Sequence, residues 1–131
     1  MLTVFASLAI CNAAAMATFD VIERDGLLQN ATEVGNHMLK RMADWPRKHK
    51  LVGDVRGRGL MVGVEIVKDK KTKEYDADGR DRIIELAFER GVLFLGCGPS
   101  TIRIAPPLMV SKDEADVAVD VLDECIALTG K

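Results

Sequence analysis

A chain of 131 residues, 48% of them hydrophobic, suits one compact domain that buries roughly two-thirds of its unfolded surface, which excludes a disordered protein. The net charge is −2 with both signs interspersed, so no field gathers nucleic acid or an anionic membrane, and neither is expected as a partner. Cys11, Cys97 and Cys125 are odd in number and lack C-x-x-C spacing, and neither His37 nor His49 has a second imidazole one helical turn away. Reduced thiols in a cytoplasmic protein without a metal site are the expectation.

The first stretch, "MLTVFASLAICNAAAMATF", carries no charge through Phe19. The first basic residue is Arg24, so the positive region of a signal peptide is missing. Ile10 stands before Cys11 where a lipoprotein signal needs a small residue, and Thr3, Ser7, Asn12 and Thr18 interrupt a membrane span. A helix buried on most of its circumference is the expectation. A chain this short has little material to cover it, so the cover should come from outside the chain.

Beyond Gly26, Leu27, Leu28, Ala31, Val34, Met38, Leu39 and Met42 recur at helical spacing, and Pro46 is expected to close that helix. "LVGDVRGRGLMVGVEIV", Leu51 to Val67, reads as two strands or one bent strand with a glycine bulge. "GRGLMVG" is no dinucleotide loop: Val62 replaces the third glycine, and a strand follows where a phosphate loop must open a helix. The basic run "KDKKTKE" from Lys68 is expected to be a solvated hairpin loop.

Asp81 to Arg90 predicts a helix ended by Gly91, "VLFL" a strand and "GCGPS" a turn. In the returning strand "TIRIA", Ile102 and Ile104 share one face, and Thr101, Arg103 and Ala105 share the other. Ser111 with Glu114 forms a capping box for a last helix with the stripe Ala115, Ala118, Val119, Leu122 and Ile126. The order predicts an α+β fold with a small, largely antiparallel sheet packed with helices.

"DVRGRGLM", "ERGVLFL" and "TIRIAPPL", followed by "SKDEADVAVDVLDECI", resemble in order and spacing the C-terminal part of class III pyridoxal-phosphate aminotransferases, the family of the 4-aminobutyrate, ornithine and acetylornithine enzymes. "ICNAAAMATFDVIERDGLL" resembles the Ala-rich helix that joins that family's large cofactor domain to its small one. The resemblance implies an interdomain helix over residues 1–24 and, over 25–131, a small domain like that of a fold-type I enzyme. It implies that Arg103 grips a substrate carboxylate, a role that suits a guanidinium fork. The residues alone also allow an edge-strand arginine that is solvated or paired with an acid. Arg56 and Arg58 match the family's "RGRG" and read as supports of the strand bend.

Two departures qualify the match. The Gly-Gly-Asn-Pro run that usually precedes the Ala-rich helix is replaced by "FASLAIC", and no lysine here stands in an apolar setting suited to a Schiff base. The implied intact enzyme would use pyridoxal phosphate to move an amino group from an amino acid such as 4-aminobutyrate to a 2-oxo acid. The chain alone, a fragment or truncated product, is expected to bind no cofactor, to be silent, and to self-associate through Phe5, Leu8 and Phe19. The alternative is a stand-alone module for small-carboxylate binding or self-association.

Overall fold

The computed structural model describes residues 2–130, with side chains from Leu8 onward; Phe5 and Lys131 therefore lie outside the described side chains. The chain runs α1 (Leu2–Arg24), α2 (Leu27–Met42), α3 (Trp45–Lys48), β1 (Val52–Arg58), β2 (Met61–Asp69), β3 (Glu74–Tyr75), α4 (Ala77–Glu89), β4 (Leu95–Cys97), β5 (Thr101–Ile104) and α5 (Lys112–Thr129). The strands form one antiparallel sheet in the order β1-β2-β5-β4, with β3 paired to β2. The fold is α+β, as the periodicities predict.

One face of the sheet makes the core. Val62, Val64 and Ile66 of β2 and Ile102 and Ile104 of β5 are buried against Val34, Met38 and Met42 of α2, Ile83 and Ala87 of α4, and Val119, Leu122 and Ile126 of α5. The opposite face carries Arg56, Gly63, Glu65, Thr101 and Arg103, and both arginines are exposed on it. Period-two alternation thus becomes one dry and one open surface.

Leu51 to Val67 folds as two strands, joined by the two-residue turn Gly59–Leu60. Gly59 takes φ 55°, a conformation open to glycine at little cost. The register shift lies at the start of β1, between Val52 and Asp54, and not around Gly57 and Gly59. Gly35 brings α2 onto this turn: a Cβ there would stand 2.1 Å from the Gly59 carbonyl oxygen. The basic run turns between β2 and β3, so the expected hairpin loop is present.

Several boundaries differ from expectation. Pro46 does not close α2, which stops at Met42; it opens α3, where a missing N–H costs nothing. Helix α4 starts at Ala77 because the Asp76 side chain caps it, accepting from the Gly79 amide at 3.0 Å. Strand β4 is not "VLFL": pairing begins at Leu95 and runs through Gly96 and Cys97, since only Gly98–Ser100 are needed to turn into β5. The Ser111–Glu114 capping box is formed.

Helix α1, whose cover was expected from outside the chain, is exposed along its described side chains. Leu8, Ile10, Met16 and Phe19 are all exposed, Ile10 by 71%. The described elements pack only on its C-terminal end, through α2 and the loop after β5. Among the described residues no helix is long and apolar enough to cross a membrane.

Candidate functional site

Strand β5 is an inner strand, so its arginine is not the edge-strand residue that the sequence alone allowed. Arg103 lies opposite Gly63 of β2 and Leu95 of β4. On the β2 side Gly63 has no side chain, and the Thr101 methyl closes on its place, within 3.1 Å of where a Cβ would stand; on the β4 side Leu95 supplies an apolar wall. Arg103 is exposed, and among the described residues no carboxylate lies within ion-pair distance of it. Its fork is therefore free to hold an anion.

The same row holds a second arginine with a different fate. Arg56 faces Gly63 from β1, and its Nη1 donates to Asp54 Oδ2 at 2.8 Å and lies 3.9 Å from Glu65 Oε2. The hydrogen bond to Asp54 raises its pKa further above the ordinary range. Arg56 is thus neutralised within the sheet, and Arg58 sits at the hairpin end beside the Gly59 turn. Register brings Arg56 and Arg103 to one row, but only Arg103 keeps its charge uncommitted.

Arg103 lines an open cleft of ≈ 380 Å³ whose other walls include Met61, Phe94, Leu95, Pro106 and Pro107. Among the described residues it is the only charged side chain in that lining. The cleft offers a carboxylate-sized charge partner beside an apolar wall, a setting in which an ion pair is screened less than in bulk water.

Two residues that the sequence reading passed over hold β5 in place. Arg80 of α4 donates through Nη1 to the Gly98 carbonyl at 3.2 Å, pinning the turn that leads into β5. Its guanidinium lies over Gly96, where a Cβ would come within 3.2 Å of Nη1. Beyond β5, Asn30 of α2 donates through Nδ2 to the carbonyls of Leu108 and Val110 at 2.8 and 3.0 Å. The first glycine of "GCG" was the available signal for Arg80; nothing local to Asn30 pointed to a loop about eighty residues away.

The remaining candidate ligands are structural. His37 and His49 each bind a carboxylate of α5, Asp116 and Asp123, at 2.6 Å. Among the described residues no group of three His, Cys, Asp or Glu side chains could hold a metal ion. Cys125 is buried, and burial raises its pKa, which makes its thiol inert; Cys11 and Cys97 are exposed thiols.

The domain is an antiparallel sheet packed on one face by helices, with Arg103 exposed on the other. Residues 3–126 match the family described as Aminotransferase class-III, and the chain belongs to it. It is 39% identical over 115 residues to isoleucine 2-epimerase of Lentilactobacillus buchneri, covering 88% of this chain and 26% of that protein. It is 38% identical to alanine–glyoxylate aminotransferase 2 homolog 2, mitochondrial, of Arabidopsis thaliana, covering 91% of this chain and 25% of that one. An amine transaminase from an uncultivated Pseudomonas species, solved in its PLP-bound form, superposes with a TM-score of 0.84 at 36% identity, covering 90% of this chain and 27% of that one. The chain spans about a quarter of the length of these relatives.

The family implies pyridoxal phosphate in the intact enzyme, and the described residues do not suit its attachment. A Schiff-base lysine needs a desolvated amine. Lys40, Lys48, Lys50, Lys68, Lys70, Lys71, Lys73 and Lys112 are all exposed.

Proposed function

We propose that this chain is the C-terminal, carboxylate-binding part of a pyridoxal-phosphate enzyme that passes the amino group of an amino acid to a 2-oxo acid. Residues 1–24 are the helix leading from a cofactor-bearing domain, and residues 25–131 the small domain. Arg103 holds the substrate carboxylate by two parallel hydrogen bonds. The observation that carries the reading is the exposed guanidinium of Arg103 beside an apolar cleft, with no carboxylate partner among the described residues.

The apolar lining supports a donor that is a monocarboxylate with a short aliphatic body, a class that includes 4-aminobutyrate and the branched aliphatic amino acids. A second carboxylate placed in that cleft would be desolvated without a partner. A second reading, inversion of an amino acid at its amino-bearing carbon, is supported by the similarity to isoleucine 2-epimerase and uses the same grip. In either reading the lysine for the cofactor comes from outside the described residues, and the chain alone is catalytically silent. Exposed Leu8 and Phe19 on α1 favour self-association of the isolated chain.

Titration of the 131-residue chain with 4-methylpentanoate, followed by amide NMR, tests the grip. Shifts should centre on Leu95, Thr101 and Arg103, vanish in Arg103→Ala, persist weakly in Arg103→Lys, and be absent with 3-methylbutylamine. An Arg103→Ala chain that titrates like the wild type would remove Arg103 from the site.

A further inference from the structure

Two short basic runs that are separate in the sequence meet in the fold. Arg47, Lys48 and Lys50, at the end of α3 and just after it, and Lys68, Lys70 and Lys71, at the end of β2 and in the turn beyond, line one open cleft of ≈ 460 Å³. The arrangement is tied together: Lys70 Nζ donates to the Pro46 carbonyl at 2.6 Å, which fixes the β2–β3 turn against α3. Six cations face a single acid of the lining, Asp69.

Asp69 does little to neutralise them. Its Oδ1 accepts the backbone amides of Lys71 and Thr72 at 2.7 and 2.8 Å, so it serves the turn. Lys48 pairs with Asp123 and Lys68 with Glu74 at the margin. Arg47, Lys50 and Lys71 have no carboxylate within ion-pair distance among the described residues. In a chain of net charge −2, such crowding of like charge raises the local potential and lowers stability unless an anion answers it.

We propose that this cleft binds a small ligand bearing two or more linked phosphoryl groups. Five of the six cations are lysines, point charges that suit phosphate oxygens without demanding the planar geometry of a carboxylate fork. No aromatic side chain lines the cleft: Trp45 is 2% exposed, and Tyr75, though exposed on β3, is not among the lining residues, so the phosphoryl groups are recognised and an attached base is not. The site shares no lining residue with the Arg103 cleft and stands independently of the proposed function.

Calorimetric titration of the full chain with sodium tripolyphosphate, at about 50 mM and about 200 mM salt, tests the proposal. Saturable one-to-one binding should weaken with salt, exceed sulfate by about tenfold or more, and match the affinity for ATP. Lys50→Glu with Lys71→Glu should lose about thirtyfold or more, whereas Lys40→Glu on exposed α2 should lose less than about threefold. Thermal melts of each variant separate lost binding from lost folding. Equal losses in the double variant and in Lys40→Glu would overturn the assignment. So would ATP binding more than about tenfold tighter than tripolyphosphate, which would mean base recognition, or tighter binding of a short duplex DNA, which would mean a polymer surface.

Discussion

The two faces of β5 are one residue apart in sequence and opposite in physics. Ile102 and Ile104 are buried under three helices, and every neighbour they need is supplied by the chain itself. Arg103 between them faces outward, with no described carboxylate partner. The buried face is over-determined by packing and the open face by almost nothing, so the latter is where a residue can be kept for chemistry. If this division is right, substitutions on the two faces should separate stability from binding.

The largest effect belongs to the buried face. Ile102→Ala removes a fully buried side chain from the middle of the sheet and should cost about 2–5 kcal/mol of unfolding free energy by chemical denaturation. A loss under about 1 kcal/mol would mean that this face is not the core.

Arg103→Ala should do the reverse. Stability of the chain should change by no more than about 0.5 kcal/mol, because an exposed, unpaired side chain is lost. In a full-length enzyme carrying this domain, kcat/KM for a carboxylate substrate should fall by roughly 2–4 kcal/mol in transition-state binding, or thirty- to a thousandfold. An amine without the carboxylate should be nearly unaffected. Equal losses for both substrates would make Arg103 a structural residue.

Gly35 sharpens the same contrast from the helix side. Its replacement by alanine drives a methyl into the Gly59 carbonyl, and since that contact is backbone on both sides, α2 or the hairpin must move. A destabilisation of about 1–3 kcal/mol should follow, read as a shifted denaturation midpoint. Carboxylate shifts at Leu95 should survive in the fraction that remains folded.

Much of this fold was legible because the periodicities are clean. Helix α2, the β1–β2 hairpin, the alternating β5 and the capped α5 all announce themselves locally. Helix α1 was legible as a helix whose cover the chain itself does not supply, because its apolar content exceeds what 131 residues can bury, and its side chains are exposed accordingly. Strand β4 was misplaced since an apolar run fits a strand or a buried loop equally well, and register against β5 decided. At the site, Arg103 stood out in a strand, whereas Arg80, Asn30 and the meeting of two basic runs depend on tertiary distance and leave no local trace.

The smallest effect is a pH dependence confined to the helical side. Asp116 of α5 accepts from His37 Nε2 at 2.6 Å and from Arg41 Nη1 at 2.8 Å, and these bonds, that of His37 first, hold its pKa below the usual carboxylate value. For Asp123, burial pushes the pKa upward, but hydrogen bonds from Lys48 and His49 outweigh it and the net direction is again down. A carboxyl whose folded pKa lies below its unfolded value of about 3.9 stabilises the fold above that pH and loses the contribution as pH falls through the folded pKa. The melting temperature should therefore begin to drop below about pH 4 on account of these two groups. Asp116→Asn should lower the melting temperature near neutral pH and make the acid decline shallower, because one depressed carboxyl is gone. Arg103→Ala, on the other face, should trace a curve parallel to the wild type. An Asp116→Asn chain that keeps the full acid decline would show that the α2–α5 pairs do not set it.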